Sequence, residues 1–348
     1  METELIRAVP LDARADADLA RAAKIRRDGG LVVFPTETVY GLGADATSAP
    51  AAAKIDVAKG RPSDNPLIIH VARPEDAARY TETNATYDAL ARAFMPGPLT
   101  VILRSKDNIP KTTRGGLDTV AVRCPSHPVA HRLIELAGVP IAAPSANLSG
   151  SPSPTDVAHV IDDMRGRVDM IIDGGASEFG LESTIVKVEA DGSLTLLRPG
   201  RITPEELSAV IPVVHIAGAV TEQLKDGEVA LSPGMKYRHY APKCPVFLLD
   251  GSPDAVAEYL KTRKGRIAVI AYTEDVAPLR GACPDADFYD FGARADELAQ
   301  AHRLFYLLRE ADKKDYDAVY APLPPTDGVG LALYNRMIRA AAHQIVRL

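Results

Sequence analysis

The sequence predicts two α/β domains, and three observations carry the prediction. Short β-branched apolar runs alternate with stretches of helical period, and the chain of 348 residues is longer than one hydrophobic core ordinarily serves. No run approaches the roughly 20 apolar residues needed to span a bilayer. The first domain, residues 1–215, is expected to be built on a twisted sheet, largely parallel or mixed. Residues 245–348 are expected to form a smaller Rossmann-like α/β unit, with a linker at 216–244.

Residues 16–27, DADLARAAKIRR, place Leu19, Ala22, Ala23 and Ile25 at helical spacing and run into Gly29 and Gly30, a helix followed by a glycine stop. LVVF at 31–34 reads as a buried strand. The alternation continues with APAAAKIDVAK (49–59) as helix, LIIHV (67–71) as strand and YDALARAFM (87–95) as helix. LTVIL (99–103) and TVAVRC (119–124) read as strands, HPVAHRLIELA (127–137) as helix and VPIAAPS (139–145) as strand. Next come PTDVAHVIDDM (154–164) as helix and the strands VDMIID (168–173), STIVKV (183–188) and LTLLR (194–198). TPEELSAVI (203–211) is a helix with Thr203 as N-cap and Pro204 at its first position.

After Ile211 the pattern loosens, and ALSPGMKYRHYAPKCP at 230–245 has the composition of a linker, cationic and aromatic between prolines. The second domain restarts with VFLL (246–249) as strand, DAVAEYLK (254–261) as helix and RIAVIAY (266–272) as strand. ARADELAQAHRLFYLLRE (293–310) follows as helix, YDAVYA (316–321) as strand and VGLALYNRMIRAAAHQIV (329–346) as a last helix. No G-x-G-x-x-G follows the first strand of this domain, so the usual dinucleotide fingerprint is missing. The stretch PPTDGVG before the last helix reads either as an anion-binding helix N-terminus or as an ordinary cap and turn.

Composition narrows the function classes. A formal charge of −6 argues against coating nucleic acid by bulk electrostatics and leaves at most a weak, local contact with tRNA. Three scattered cysteines, Cys124, Cys244 and Cys283, form neither a disulfide framework nor a zinc knuckle. The first thirty residues mix Arg and Asp without an apolar core, which points to an unexported protein of the cytoplasm with no membrane association.

Four polar clusters follow predicted strands, where open α/β sheets place their ligands. The first is FPTETVYGLGADA, residues 34–46, with Thr36, Thr38 and Tyr40. It is too polar for core and reads as the rim of a site for something small and anionic, the plainer alternative being a strand-to-helix turn whose hydroxyls cap the backbone. The second is KGRPSDNPLIIHV, with Lys59, Arg61, Ser63, Asn65 and His70. In the third, strand alternation sets Thr119, Ala121 and Arg123 on one face. An arginine closing an apolar strand is costly to bury without an anion, which makes Arg123 a fork for a carboxylate or phosphate. The fourth is APSANLSGSPSP, residues 143–154, with Ser145, Asn147 and Ser153; it is not a Gly-x-Ser-x-Gly elbow. Glu182-Ser183-Thr184 and Arg198-Pro-Gly complete the set. Lys59, Arg61, Arg123 and Arg198 together suit a strongly anionic small molecule such as a nucleoside triphosphate. No Walker-type phosphate loop is present, so side-chain cations would hold it.

Taken in order, PTETVYGLG, KGRPSDNPL, the arginine strand, PSAN with its SG, ESTIV and LRPG resemble the YrdC-like threonylcarbamoyl-AMP synthases. SPGMKYRHYAP and the second domain resemble the long form of that family, so the likeness spans the chain. It implies a YrdC-like catalytic domain and a nucleotidyltransferase that converts L-threonine, bicarbonate and ATP into threonylcarbamoyl-AMP and pyrophosphate. A separate tRNA threonylcarbamoyl transferase would carry the group to an adenosine beside the anticodon. By motif, Lys59, Arg61 and Arg198 fall on the ATP phosphates, with Lys59 and Arg61 as the catalytic cations. Asn65, Thr119, Ser145, Asn147, Ser153 and Tyr240 fall around the nucleotide. Thr38, Tyr40, His70, Arg123 and Ser183 fall on threonine. Mg2+ would come with ATP and need no protein ligand. Glu37 and Glu182 are expected to be capping or solvated carboxylates, and no protein base is evident. The linker residues Lys236, Tyr237, Arg238, His239 and Tyr240 are expected to fold over bound nucleotide.

Overall fold

A computed structural model describes residues 2–222 and 240–348. The chain divides into two compact units: Met1–Ser149 with Ser153–Lys236, and Gly150–Pro152 with Tyr237–Leu348.

The first unit carries a mixed sheet of eleven strands in the order β1-β8-β2-β3-β7-β4-β6-β5-β9-β10-β11. In chain order these are β1 (Glu4–Arg7), β2 (Val32–Phe34), β3 (Gly41–Asp45), β4 (Ile68–His70), β5 (Leu99–Arg104) and β6 (Thr119–Arg123). The remainder are β7 (Ile141–Ala142), β8 (Met170–Asp173), β9 (Thr184–Val188), β10 (Leu194–Arg198) and β11 (Val214–Ile216). The helices are α1 (Ala13–Arg27), α2 (Ala49–Lys59), α3 (Ala85–Phe94), α4 (Pro128–Ala137), α5 (Val157–Met164) and α6 (Pro204–Val210).

Local chemistry sets most of these boundaries. Asp12, Ser48, Asn84 and Asp156 cap α1, α2, α3 and α5 through their side chains. Thr203 and Glu206 form a reciprocal capping box on α6. Gly60 ends α2 in the left-handed region at φ 64°, where a side chain would be strained, so the chain turns sharply between Lys59 and Arg61. Leu19, Ala22 and Ala23 of α1 and Val129, Leu133 and Ile134 of α4 pack with Phe34, Ile141 and Met170 of the sheet into one core.

Three expectations change here. FPTETVYGLGADA is not a strand-to-helix turn: Gly41–Asp45 is strand β3, antiparallel to β2. Nor is it too polar for the interior, since residues 34–44 are all buried. Its hydroxyls are satisfied internally, which removes the cost of burying them. The strand expected at 139–145 is hydrogen-bonded as regular sheet only over Ile141–Ala142.

The second unit is a five-stranded sheet, β14-β13-β15-β12-β16, in which every neighbouring pair is parallel. Its strands are β12 (Val246–Asp250), β13 (Ile267–Ala271), β14 (Asp287–Asp290), β15 (Ala318–Pro322) and β16 (Ile345–Arg347). Its helices are α7 (Pro253–Lys261), α8 (Thr273–Ala282), α9 (Glu297–Asp312) and α10 (Gly330–Ala340). The last helix is therefore shorter than its periodicity suggests. It ends at Ala340, the chain turns through positive φ at Ala342 and His343, and Ile345–Arg347 pairs with β12. The N-terminal N–H of Gly330 donates to Glu297 Oε2 at 2.8 Å, so the anion at the start of α10 is the chain's own carboxylate.

One buried charge stands out in the first core. Arg26 of α1 is fully buried, with Nη2 donating to the Ala44 carbonyl at 3.3 Å and Nε and Nη1 without a partner among the described residues. Burial draws its pKa down to about 9. Replacement by an apolar side chain of similar length removes that desolvation cost. Arg26→Met is expected to raise stability by about 1–4 kcal/mol, read as a higher urea midpoint with an unchanged m value.

Candidate active site

The segment 35–40 is the hub of the first unit's polar interior. Thr36 Oγ1 donates to the Val39 carbonyl at 2.6 Å and lies 2.9 Å from Thr38 Oγ1. The Glu37 carbonyl accepts from Phe179 N–H at 2.8 Å. Tyr40 N–H donates to the Pro154 carbonyl and its own carbonyl accepts from Ala146 N–H, which fastens the serine-rich loop to both sides of the segment. The Tyr40 hydroxyl donates to the Gly175 carbonyl at 2.6 Å and accepts from Gly174 N–H at 3.1 Å. With both roles of the hydroxyl used, Tyr40 ties the segment to the 174–175 turn.

Strands β4 and β6 run parallel, with Ile68 opposite Ala121 and His70 opposite Arg123. This register gives the site two ends. At the carboxyl ends of the strands, His70, Arg123 and the segment 36–38 gather. Arg123 Nη2 donates to Glu37 Oε1 at 2.6 Å, and both residues are buried. His70 Nδ1 lies 3.2 Å from the Ile141 carbonyl, which fixes the Nδ1–H tautomer and leaves Nε2 as an acceptor. Burial, with Arg123 adding to it, pushes the His70 pKa down to about 3, so the ring is neutral. On the other side of Arg123 stands Thr100 of β5. Thr100 Oγ1 lies 2.8 Å from Ser183 Oγ, and Arg198 reaches the same serine through Nε to its carbonyl at 3.0 Å and Nη2 to its hydroxyl at 3.2 Å. Ser153 donates to Glu182 Oε1 beside them.

The opposite end is cationic and rich in loop carbonyls. Lys59 Nζ donates to the Ser145 carbonyl at 2.5 Å and the Asn147 carbonyl at 2.6 Å. Ser145 Oγ donates to Asn147 Oδ1 at 2.5 Å. Arg61 pairs with Asp56 at 2.5 Å and donates to the Asn65 carbonyl at 2.8 Å, folding KGRPSDN into a compact corner. Thr119 opens β6 at this end, four residues from Arg123, or about 13 Å along the strand. Between the two ends lies an apolar floor of Ile68, Ile102, Ala121, Ile185 and Leu197.

The structure thus gathers Thr38, His70, Arg123 and Ser183 at one end, with Tyr40 bonded to the 174–175 turn, and Lys59, Arg61, Asn65, Thr119, Ser145 and Asn147 at the other. Arg198 and Ser153 fall with the Ser183 group. Glu37 and Glu182 are neither caps nor solvated: both are buried and hydrogen-bonded to site residues. Tyr240 belongs to the second unit, where its ring packs 5.2 Å from Phe305 and under the Arg336 guanidinium. Lys236, Tyr237, Arg238 and His239 lie outside the described residues. Sequence reasoning missed Thr100, whose hydroxyl inside the apolar run LTVIL was the available signal. Among the described residues no three His, Cys, Asp or Glu side chains converge as a metal site, and no helix is long and apolar enough to cross a membrane.

Comparison with known proteins shows what the chain as a whole is similar to. A family model described as "Telomere recombination" matches residues 24–200, and one described as "Threonylcarbamoyl-AMP synthase, C-terminal domain" matches residues 202–342. The chain is 43% identical to the threonylcarbamoyl-AMP synthase of Bacillus subtilis, over 95% of each protein. It is also 43% identical to that of Pyrococcus abyssi, over 94% of this chain and 95% of the relative. The crystal structure of P. abyssi Sua5 complexed with L-threonine superposes with a TM-score of 0.88 at 39% identity and covers both chains fully.

Two measurements test the site's construction. The depressed His70 pKa makes the folded state neutral there while the unfolded chain takes up a proton below its ordinary value near 6.5. Stability is therefore complete above about pH 6.5 and falls as pH drops toward 3. Between pH 7 and 5 the natural protein is expected to lose about 2 kcal/mol more than His70→Gln in urea unfolding. At Gly200, a Cβ would lie 2.5 Å from Thr184 N, 2.7 Å from the Glu182 oxygen and 2.8 Å from Ser183 C, all backbone. Gly200→Ala is expected to cost about 1–3 kcal/mol in the same assay by pushing the start of β9 away.

Proposed function

This chain belongs to the threonylcarbamoyl-AMP synthase family, and from that membership we propose that it condenses L-threonine, bicarbonate and ATP to threonylcarbamoyl-AMP and pyrophosphate. The observation that carries the reading is the two-ended site along β4 and β6. One end offers a neutral imidazole, hydroxyls and a buried guanidinium; the other offers cations and short polar groups. The first suits a small zwitterion and the second a nucleotide. The apolar side chains of Ile68, Ile102 and Ala121 lie between them, which suits two substrates meeting over an apolar floor.

The reaction asks little covalent chemistry of the protein. Bicarbonate takes up a proton and loses water to give CO2. The neutral amine of threonine forms an N–C bond to it and releases a proton to give an N-carboxylate. A carboxylate oxygen then attacks the α-phosphorus as the bond to the bridging oxygen breaks and pyrophosphate leaves. The work is alignment and charge stabilisation. We assign Arg123, with Ser183 and Thr38, to hold the amino acid, and neutral His70 Nε2 to accept a hydrogen bond from its hydroxyl. Lys59, Arg61 and Arg198 take the phosphates and the leaving pyrophosphate, with Asn65, Thr119, Ser145, Asn147 and Ser153 around the nucleotide. Mg2+ bound to ATP would draw charge from the phosphates, with no protein side chain needed to hold it. The cations of the site are already braced by carbonyls and Asp56, so their orientation costs little at the moment of reaction. The product would pass to a tRNA threonylcarbamoyl transferase in the cytoplasm.

Pyrophosphate release with each of threonine, bicarbonate and ATP omitted in turn tests the proposal. Release is expected only with all three present. Release without threonine, or driven by carbamoyl phosphate, would overturn it.

A further inference from the structure

A guanidinium and a carboxylate facing each other frequently make two parallel hydrogen bonds. The Glu37–Arg123 pair departs from that geometry. One bond is made, from Arg123 Nη2 to Glu37 Oε1 at 2.6 Å. Glu37 Oε2 and Arg123 Nε are buried and have no hydrogen-bond partner among the described residues. Glu37 is 2% exposed and Arg123 4%. Buried polar atoms without partners are uncommon in native interiors and call for an explanation. Here an open acceptor and an open donor belong to one contact.

That pattern is the complement of an α-amino acid, whose ammonium seeks an acceptor and whose carboxylate seeks a guanidinium. Glu182, the other buried carboxylate at this end, already receives the Ser153 hydroxyl. His70 is neutral, with its N–H turned to Ile141. Glu37 is also held firmly: its carbonyl takes the Phe179 N–H, and the Thr36 hydroxyl accepts the N–H groups of Thr38 and Val39 just beyond it. A rigid carboxylate with one oxygen engaged and one open is pre-organised for a single further donor.

We propose that Glu37 is the amine-recognising residue of the amino-acid subsite: Oε2 accepts from the substrate's α-amino N–H while Arg123 Nε takes its carboxylate. The proposal rests on the reading of Arg123, His70 and Ser183 as that subsite and extends it to a residue without an assigned role. Selection for an amino acid over the matching hydroxy acid then comes from Glu37, and retention of the carboxylate from Arg123.

The test is calorimetric binding, which needs no turnover. L-Threonine and 2,3-dihydroxybutanoate of matching configuration, with hydroxyl in place of amine, are titrated into the full-length protein and into Glu37→Gln. The natural protein is expected to prefer threonine by about 30-fold or more. Glu37→Gln is expected to weaken threonine about 10- to 100-fold, in line with a charge-assisted hydrogen bond, and to change the hydroxy acid less than threefold, with ATP affinity unchanged. Equal weakening of both ligands would mean that Glu37 acts only through Arg123 and would overturn the proposal, as would threonine affinity held within twofold. Should Glu37→Gln not fold, Glu37→Asp keeps the charge and withdraws the oxygen. Its threonine preference is expected to fall about tenfold, and an undiminished preference overturns the proposal. Failure of the natural protein to bind threonine would instead overturn the functional reading itself.

Discussion

The buried ion pair between Glu37 and Arg123 is the contact on which the site's geometry depends. It joins the 35–40 segment, which connects β2 to β3, to the end of β6 three strands away in the sheet. Two ions removed from water must be paired in good geometry, and loss of either partner leaves a charge that costs about 3–5 kcal/mol. The pair therefore fixes where the segment may run. Everything attached to that segment inherits the constraint, including the Pro154 and Ala146 backbone contacts and the Tyr40 bond to the 174–175 turn. On the other side of Arg123, Thr100 hands the order on to Ser183 and Arg198.

The same principle governs the cationic end. Lys59 rests on two backbone carbonyls and Arg61 on Asp56 and a third carbonyl, so neither is a loose surface charge waiting for a ligand. A flexible lysine or arginine loses about 2 kcal/mol of rotamer freedom when a ligand fixes it. Here the fold has already made that loss. The left-handed turn at Gly60 makes the arrangement feasible, since it aims residues 59 and 61 to different partners within three residues.

Much of the fold was legible because its helices and strands are locally consistent. APAAAKIDVAK is helix over the same residues that its pattern and its Ser48 and Gly60 boundaries indicate. TPEELSAVI carries its capping box in the sequence. The misses are places where tertiary contacts outweigh local pattern. Helical spacing continues past Ala340, yet Ile345–Arg347 gains more by completing the edge of a parallel sheet. YGLGADA has no strand-like alternation, yet it pairs as β3 because its glycines allow Phe34 and Ile141 to pack against it. The site residues were legible by type, since cations, hydroxyls and an arginine on an apolar strand are visible in a sequence. Their partners were not, because Glu37 lies 86 residues from Arg123 and Thr100 lies 83 from Ser183.

By itself the sequence determined the α/β class, the division into a larger and a smaller unit, and the residue types, strand-end cations and hydroxyls, from which the candidate site is built. These depend on periodicity and residue type, which are local properties. Only the tertiary structure decided that the 35–40 segment is interior, that the register of β4 on β6 separates an end with a buried guanidinium and hydroxyls from an end with cations and loop carbonyls, and that Glu37 pairs with Arg123 by one bond rather than two. Those outcomes depend on which residues desolvate one another. Desolvation is a property of the packed molecule, and residues far apart in the chain share it only once the sheet has formed.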